Sequence, residues 1–247
     1  MRTPVQGISD AEWKVRVNLA ALYRILDHLG MTYLIYTHLS ARVPGETDTF
    51  LINRFGEMFG EVTASSLIKM DFDGNVIGEG NFSRAGFAIH SAVYMARPDI
   101  TCVLHTHSIA GSAVSTLKQG LRPISQDALE VYDEIGYHDY DVPGTREECE
   151  SLGHSCATAN SIILRNHGLM TIGPTIPSAF IRMYYLERAC EIQVAAGRME
   201  DTILMPEKPT QTLATKLQAL RASGRYGEVE WETLLRLLKK KGSDHAR

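Results

Sequence analysis

The sequence predicts an α/β or α+β protein, one catalytic-sized domain followed by a helical tail. Three observations carry that prediction. Helix-period segments alternate with short apolar, strand-like runs through most of the chain. The 247 residues are 44% hydrophobic and 22% charged, an ordinary globular composition with length for one sizeable core. Residues 210–247 hold two amphipathic helix patterns and no strand pattern, so we place a main domain at 9–200 and a C-terminal helical extension at 201–247.

The elements follow in order. "SDAEWKVRVNLAALYRILDHLG" is a helix capped by Ser9, with Glu12 completing a capping box. Its stripe is Val15, Leu19, Leu22 and Leu26, and Gly30 stops it. "TDTFLINRFG" reads as a strand entering a glycine turn, and "SLIKMDFDGNVIGEG" as a hairpin turning at Asp73-Gly74-Asn75. "RAGFAIHSAVYMARPD" is a helix closed before Pro98. The strand "ITCVLHTH" and a helix from Ser108 to Leu117 come next. "GYHDYDVPG" is a strand and a turn, and Thr145 then caps a helix with Glu147 and Glu148 in its first turn. "SIILRNHGLMTIG" makes two short strands around a turn at Asn166-His167-Gly168. "TIPSAFIRMYYLERACEIQVAAG" is a helix of about six turns. The closing "LLRLLKKKGSDHAR" puts Lys239 to Lys241 at a solvated helix end, where cations suit the dipole.

The totals exclude some functions. A formal net charge of -4 gives no nucleic-acid footprint and no attraction to an acidic membrane surface. The four cysteines (Cys102, Cys149, Cys156 and Cys190) form no C-x-x-C pair, which predicts a reduced cytoplasmic protein. "MRTPVQGISD" has no apolar stretch for a signal peptide, and no segment has the roughly 18 to 20 apolar residues of a membrane span.

The chemistry lies in the histidines. In "DITCVLHTHSIAG", His105 and His107 share one face of a strand that Thr106 leaves on the other side. Two imidazoles on one face fill a core poorly and hold a cation well. His167 in "RNHG" is the natural third ligand, and Gly168 lets that turn approach closely, although no spacing rule ties 167 to 107. Three neutral imidazoles hold a zinc-like ion and leave a position open. His28 suits a helix C-terminus, His154 a polar helix and His245 a frayed tail; His90 is either core or neighbour to a site.

"YTHLSARVPG", "EVTASSLIKMDFDGNVI", "AIHSAVYMARPDITCVLHTHS" and "ILRNHGLM" together resemble the class II aldolase/adducin family, from about Ala11 to Gly197. The resemblance implies a three-layer α/β/α fold with a central, mainly antiparallel sheet. It also implies a homotetramer with sites at subunit interfaces, and metal ligands on His105, His107 and His167. The departures are informative. Where phosphosugar aldolases of the family carry a catalytic glutamate, four residues before His90, this chain has Gly86. Their phosphate-binding serines fall on Arg84 and Ala85, and their early-loop asparagine on His38. Their proton-donating tyrosine falls on Gln126. "RAGFAIHSA" and "HDYDVPGT" resemble the adducin-like branch more closely.

The expected function is a divalent-metal-dependent carbon–carbon lyase, of decarboxylase or aldolase type. Zinc is the first choice of metal and manganese or iron the alternatives. The substrate is a small non-phosphorylated keto- or hydroxy-carboxylate whose enolate charge a Lewis acid accepts. Arg84 is the candidate carboxylate clamp, and His38 lines the pocket. Tyr137, His138 and Tyr140 form a patch able to donate a proton across a subunit boundary; Ser40, Arg42 and Gln126 are candidate substrate contacts. Two other readings stand beside this one. A non-haem iron oxygenase would use the same ligands. A non-catalytic adducin-like scaffold gives no reason for the histidine pair, and the long basic tail of an adducin is missing.

Overall fold

A computed structural model describes residues 7–142, 145–197 and 201–247. The expected signal-free start (residues 1–6), the turn at 143–144 and the domain boundary at 200 lie outside the described residues. The Ser9 hydroxyl accepts from the Glu12 backbone N–H and starts α1 (Asp10–His28). Glu12 does not reach back to close a capping box. Its buried carboxylate pairs with Arg16 at 2.8 Å and Lys69 at 3.2 Å, tying α1 to the sheet.

Eight strands form one sheet: β1 (His38–Arg42), β2 (Thr49–Ile52), β3 (Ile68–Asp71), β4 (Val76–Ile77), β5 (Cys102–Thr106), β6 (Ile135–His138), β7 (Ser161–Leu164) and β8 (Gly168–Gly173). Their order is β4-β3-β2-β1-β5-β8-β7-β6. Every pairing is antiparallel except the edge pair β6–β7. The helices are α2 (Arg84–Ala96), α3 (Ile109–Ser115), α4 (Gln126–Leu129), α5 (Arg146–Ser155), α6 (Ile176–Ala196), α7 (Glu207–Ala222) and α8 (Glu228–Lys240).

Strand alternation builds two cores. Leu39, Leu51, Leu104 and Leu169 face α1, α3 and α6. Phe50, Val103, Ile162 and Met170 face α2 and α5. This is the mainly antiparallel, three-layer arrangement that the resemblance implies. Tail residues Leu217, Tyr226, Trp231 and Leu238 belong to the first core, so the C-terminal helices share it. Among the described residues no helix is long and apolar enough to cross a membrane.

Three local readings are corrected. The "YTHLSARVPG" segment is strand β1 rather than a loop, because Leu39 and Ala41 find the α1 core while His38 and Ser40 face α2. Strand β5 ends at Thr106, so His107 stands just past it. The tail is not frayed at His245: the His245 and Arg247 carbonyls accept from the Ala64 and Ser65 N–H groups at 2.8 and 3.0 Å.

Glu134 closes the underside of the fold. It accepts from Arg182 of α6 at 2.6 Å and from Asn160 at 3.0 Å, with Arg221 of α7 3.5 Å away. Arg182 and Glu134 are both buried. Glu134→Ala strands the Arg182 charge and is expected to cost about 3–5 kcal/mol, read as a lower urea midpoint. The double variant E134A/R182M should recover most of that loss.

Candidate metal centre

The antiparallel register of the sheet assembles the centre. His38 of β1 is the register partner of His105 of β5, and His105 is that of Met170 in β8. The β7–β8 turn, Arg165 to His167, returns the chain to the end of β5. Asn166 takes the left-handed conformation there, with φ 57°. A Cβ at Gly168 would strike the Thr106 carbonyl and lie 3.0 Å from His107, so only glycine permits this approach.

The rings of His105, His107 and His167 then converge, with centroids 4.6 to 4.8 Å apart. One nitrogen from each lies within 4.8 Å of the others, and these three residues can hold a metal ion. His105 Nδ1 lies 3.0 Å from the Leu169 carbonyl, which only accepts. The proton is therefore on Nδ1, and the Nε2 lone pair is directed into the cluster, 2.8 Å from His107 Nε2.

Helix α3 holds the remaining pieces in place. Ser108 caps α3 by accepting from Gly111 and donates to buried Glu187 of α6, which fixes the chain directly after His107. The Ser115 carbonyl accepts from Asn166 at 3.2 Å, and Ser112 donates to the His167 carbonyl at 3.3 Å. Arg165 donates to the Leu117 carbonyl and lies 4.2 Å over the Tyr137 ring.

Burial keeps the site uncharged. It lowers His107 to about 4 and takes His105 well below the ordinary imidazole range, helped by the neighbouring histidines. Burial lowers His167 as well. Neutral imidazole is the form that binds metal, so the donor set fits a borderline divalent ion such as zinc.

The other sequence-selected residues fall in different places. His38 lies beside the cluster, its ring 5.1 Å from that of His105. Its Nδ1 pairs with His90 Nε2 at 2.7 Å; His90 Nδ1 bonds Ser40, and Ser40 meets the Tyr94 hydroxyl at 2.8 Å. This chain is fully inside the α2 layer, and burial lowers His90 to about 3. Arg84 is exposed at the first turn of α2, two residues before Gly86, with no hydrogen bond or ion pair among the described residues.

Arg42 is not brought to the cluster. It stands four residues along β1 from His38, roughly 13 Å away. Its guanidinium donates to the Ile100, Thr47 and Tyr94 carbonyls. Tyr137 packs under Arg165 and accepts from the Leu121 N–H at 3.0 Å. His138 takes the sheet face opposite to Tyr137, the α2 and α5 face that also carries the cluster, and is buried against Ser155 and Glu148 of α5. Gln126 is exposed on α4, which packs on α6 and α7. A cavity of about 610 Å³ is lined by Arg42, Thr101 and Trp231, among others, and touches none of the cluster. Tyr33, 5.3 Å from His107, and the Leu169 carbonyl were not singled out from sequence; a loop tyrosine and a backbone oxygen leave no pattern to read.

Comparison with known proteins gives a consistent result. The family model described as "Class II Aldolase and Adducin N-terminal domain" matches residues 17–194. A solved structure of an aldolase II superfamily protein from Pseudomonas syringae is 38% identical, covers 98% of both chains and superposes with a TM-score of 0.91. The L-fuculose 1-phosphate aldolase of Glaciozyma antarctica PI12 is 28% identical over 100% of this chain and 97% of its own, with a TM-score of 0.83. Alpha-adducin of Rattus norvegicus is 40% identical over 96% of this chain and 36% of its own length. Sequence, fold and the convergent histidines agree: the chain belongs to the class II aldolase and adducin family.

Proposed function

We propose that the protein is a metal-dependent carbon–carbon lyase for a small, non-phosphorylated keto- or hydroxy-carboxylate, with decarboxylation favoured over aldol cleavage. The observation that carries this reading is the convergence of three neutral imidazoles with the His105 tautomer fixed by Leu169. His105, His107 and His167 would hold the ion, zinc first. When bound, it supplies positive charge for electron density that develops on a substrate oxygen. Arg84 is assigned the substrate carboxylate, since its planar fork suits that group. His38 is assigned the contact with the substrate's reacting end, because His90 occupies Nδ1 and leaves Nε2 without a hydrogen bond among the described residues.

Position 86 supports decarboxylation. A Cβ there would lie 2.8 Å from His38 Cδ2 and 3.0 Å from Nε2, so the histidine ring fills the volume of the absent glutamate. Aldol chemistry needs a group to move protons at carbon. Loss of carbon dioxide breaks the C–C bond without prior deprotonation and asks only for a late proton donor. We further propose a cytoplasmic homotetramer; the unpaired cysteines and the family resemblance support it. The likeness to alpha-adducin supports a second, non-catalytic reading as a binding domain.

Metal content per chain, measured by mass spectrometry on protein purified without chelators, tests the choice. About one equivalent of zinc is expected. H105A and H107A should bring it to background while the far-ultraviolet circular dichroism is kept. A wild-type chain that neither carries nor takes up metal makes the binding-domain reading the better one. About one equivalent of iron points instead to an oxygenase.

Gly86→Ala should ordinarily stabilise a helix by about 1 kcal/mol. Here the His38 contact reverses the sign, and a loss of about 1–3 kcal/mol is expected. H38N/G86A should recover it, a coupling that a double-mutant cycle in urea measures. The buried histidines also set an acid limit. His90 falls to about 3 in the fold against an unfolded value of about 6.5, so the unfolded chain binds the proton first. Metal-free protein should keep this contribution above pH ~6.5 and lose it as pH falls toward 3, at up to about 1.4 kcal/mol per pH unit for each such group. Urea midpoints at several pH values check it.

A further inference from the structure

We propose that the mouth of the histidine cluster is a subsite for an aromatic ring, so that the substrate is an aryl-substituted keto- or hydroxy-acid. This rests on the metal-site reading above. Two separate chain segments bring exposed rings to two different half-buried ligands. Tyr33 lies 5.3 Å from His107 at 55°, and Tyr36 lies 6.4 Å from Tyr33 at 52°. Across the cluster, Tyr140 lies 6.3 Å from His167 at 80°. These tilted and edge-on arrangements are those aromatic pairs prefer, and a ligand ring can join them. The three tyrosines are 51%, 55% and 60% exposed, so they cover little of the chain's own core.

The segment that carries Tyr33 and Tyr36 is strained. Leu34 between them has φ 49° and is 63% exposed. A leucine in the left-handed region is uncommon, and such strain gathers at ligand clamps. Ile109, the first residue of α3 and two beyond His107, adds an exposed aliphatic side chain, as does Val142, two residues past Tyr140. A flat apolar ring can meet these exposed aromatic and aliphatic side chains. Asp139 and Asp141 flank Tyr140, and Asp141 accepts from the Val142 N–H at 2.7 Å. Their charge sets this side against a ligand's acid group and leaves it for the ring.

The test uses zinc-loaded protein of measured metal content, with mandelate and lactate as probes in isothermal titration calorimetry. The two offer the same hydroxy-acid chelate and differ in an aryl against a methyl group. Mandelate should bind about tenfold more tightly. Tyr33→Ser and Tyr140→Ser should each cut that ratio to about threefold or less at unchanged zinc content. Equal affinities in a zinc-loaded chain, or ratios that survive both substitutions, overturn the aromatic subsite and leave the metal reading standing. A chain that takes up no zinc overturns both. A change of oligomeric state in sedimentation on substituting the tyrosines assigns the rings to a subunit contact and also overturns the subsite.

Discussion

The hydrogen bond from His105 Nδ1 to the Leu169 carbonyl is the constraint on which the site depends. A backbone carbonyl cannot donate, so one 3.0 Å contact decides which imidazole nitrogen keeps a lone pair and where it points. That contact exists only because β5 and β8 pair in this register, with Thr106 opposite Leu169 and His105 opposite Met170. A slip of one residue would send His105 into the α6 core and bring Thr106 to the site face. The apolar alternation fixes the register: Leu104 and Leu169 belong to one core, Val103 and Met170 to the other. The same side chains that hold the sheet in place therefore hold the tautomer.

From that fixed ring the neighbouring groups follow by contact. His107 comes one step past the strand end, where Ser108 is pinned to Glu187. His167 comes with a turn that needs a left-handed Asn166 and a bare Gly168. On the other side, His38 is placed by the β1–β5 pairing and backed by His90, Ser40 and Tyr94. Its ring and the missing side chain of Gly86 are two halves of one steric statement. A carboxylate at 86 and an imidazole at 38 cannot share that space, so the two departures seen in the sequence are a single departure in three dimensions.

Much of this was legible in residue order. The strand and helix periods are local, so α1, α2, β5, the β7–β8 hairpin and α6 could be read directly, and the H-x-H parity already put two imidazoles on one face. Strand β1 was hidden because His38, Ser40 and Arg42 look like loop composition; His38 and Ser40 are buried against His90, and Arg42 bonds the Tyr94 carbonyl, all long-range partners in α2. Arg42 and Tyr137 looked functional for the same reason. A guanidinium engaged by three backbone carbonyls and a phenol accepting from Leu121 serve packing, yet by residue type they match a substrate clamp and a proton donor. The third histidine of the cluster, 60 residues on from His107, needed the resemblance, because no short-range rule connects a strand end to a distant turn.

The place of the chemistry also follows from the layers. The histidines sit on the α2 and α5 face of the sheet, at the end of β5 where the strands give way to turns, with His105 buried and His107 and His167 half-buried. The about 610 Å³ cavity, at the opposite end of β1 and β5, is lined by groups such as Arg42 that already have protein partners. Volume and chemistry are thus separated in the single chain. A centre with neutral donors and exposed tyrosines at its rim has apolar contacts ready but lacks an enclosing wall within the single chain. Water exclusion, which strengthens every electrostatic contact in a site, must then come from whatever settles on that rim. A bound aryl group would bring such a wall with the substrate itself, since the ring that fills the mouth is the surface that removes the water.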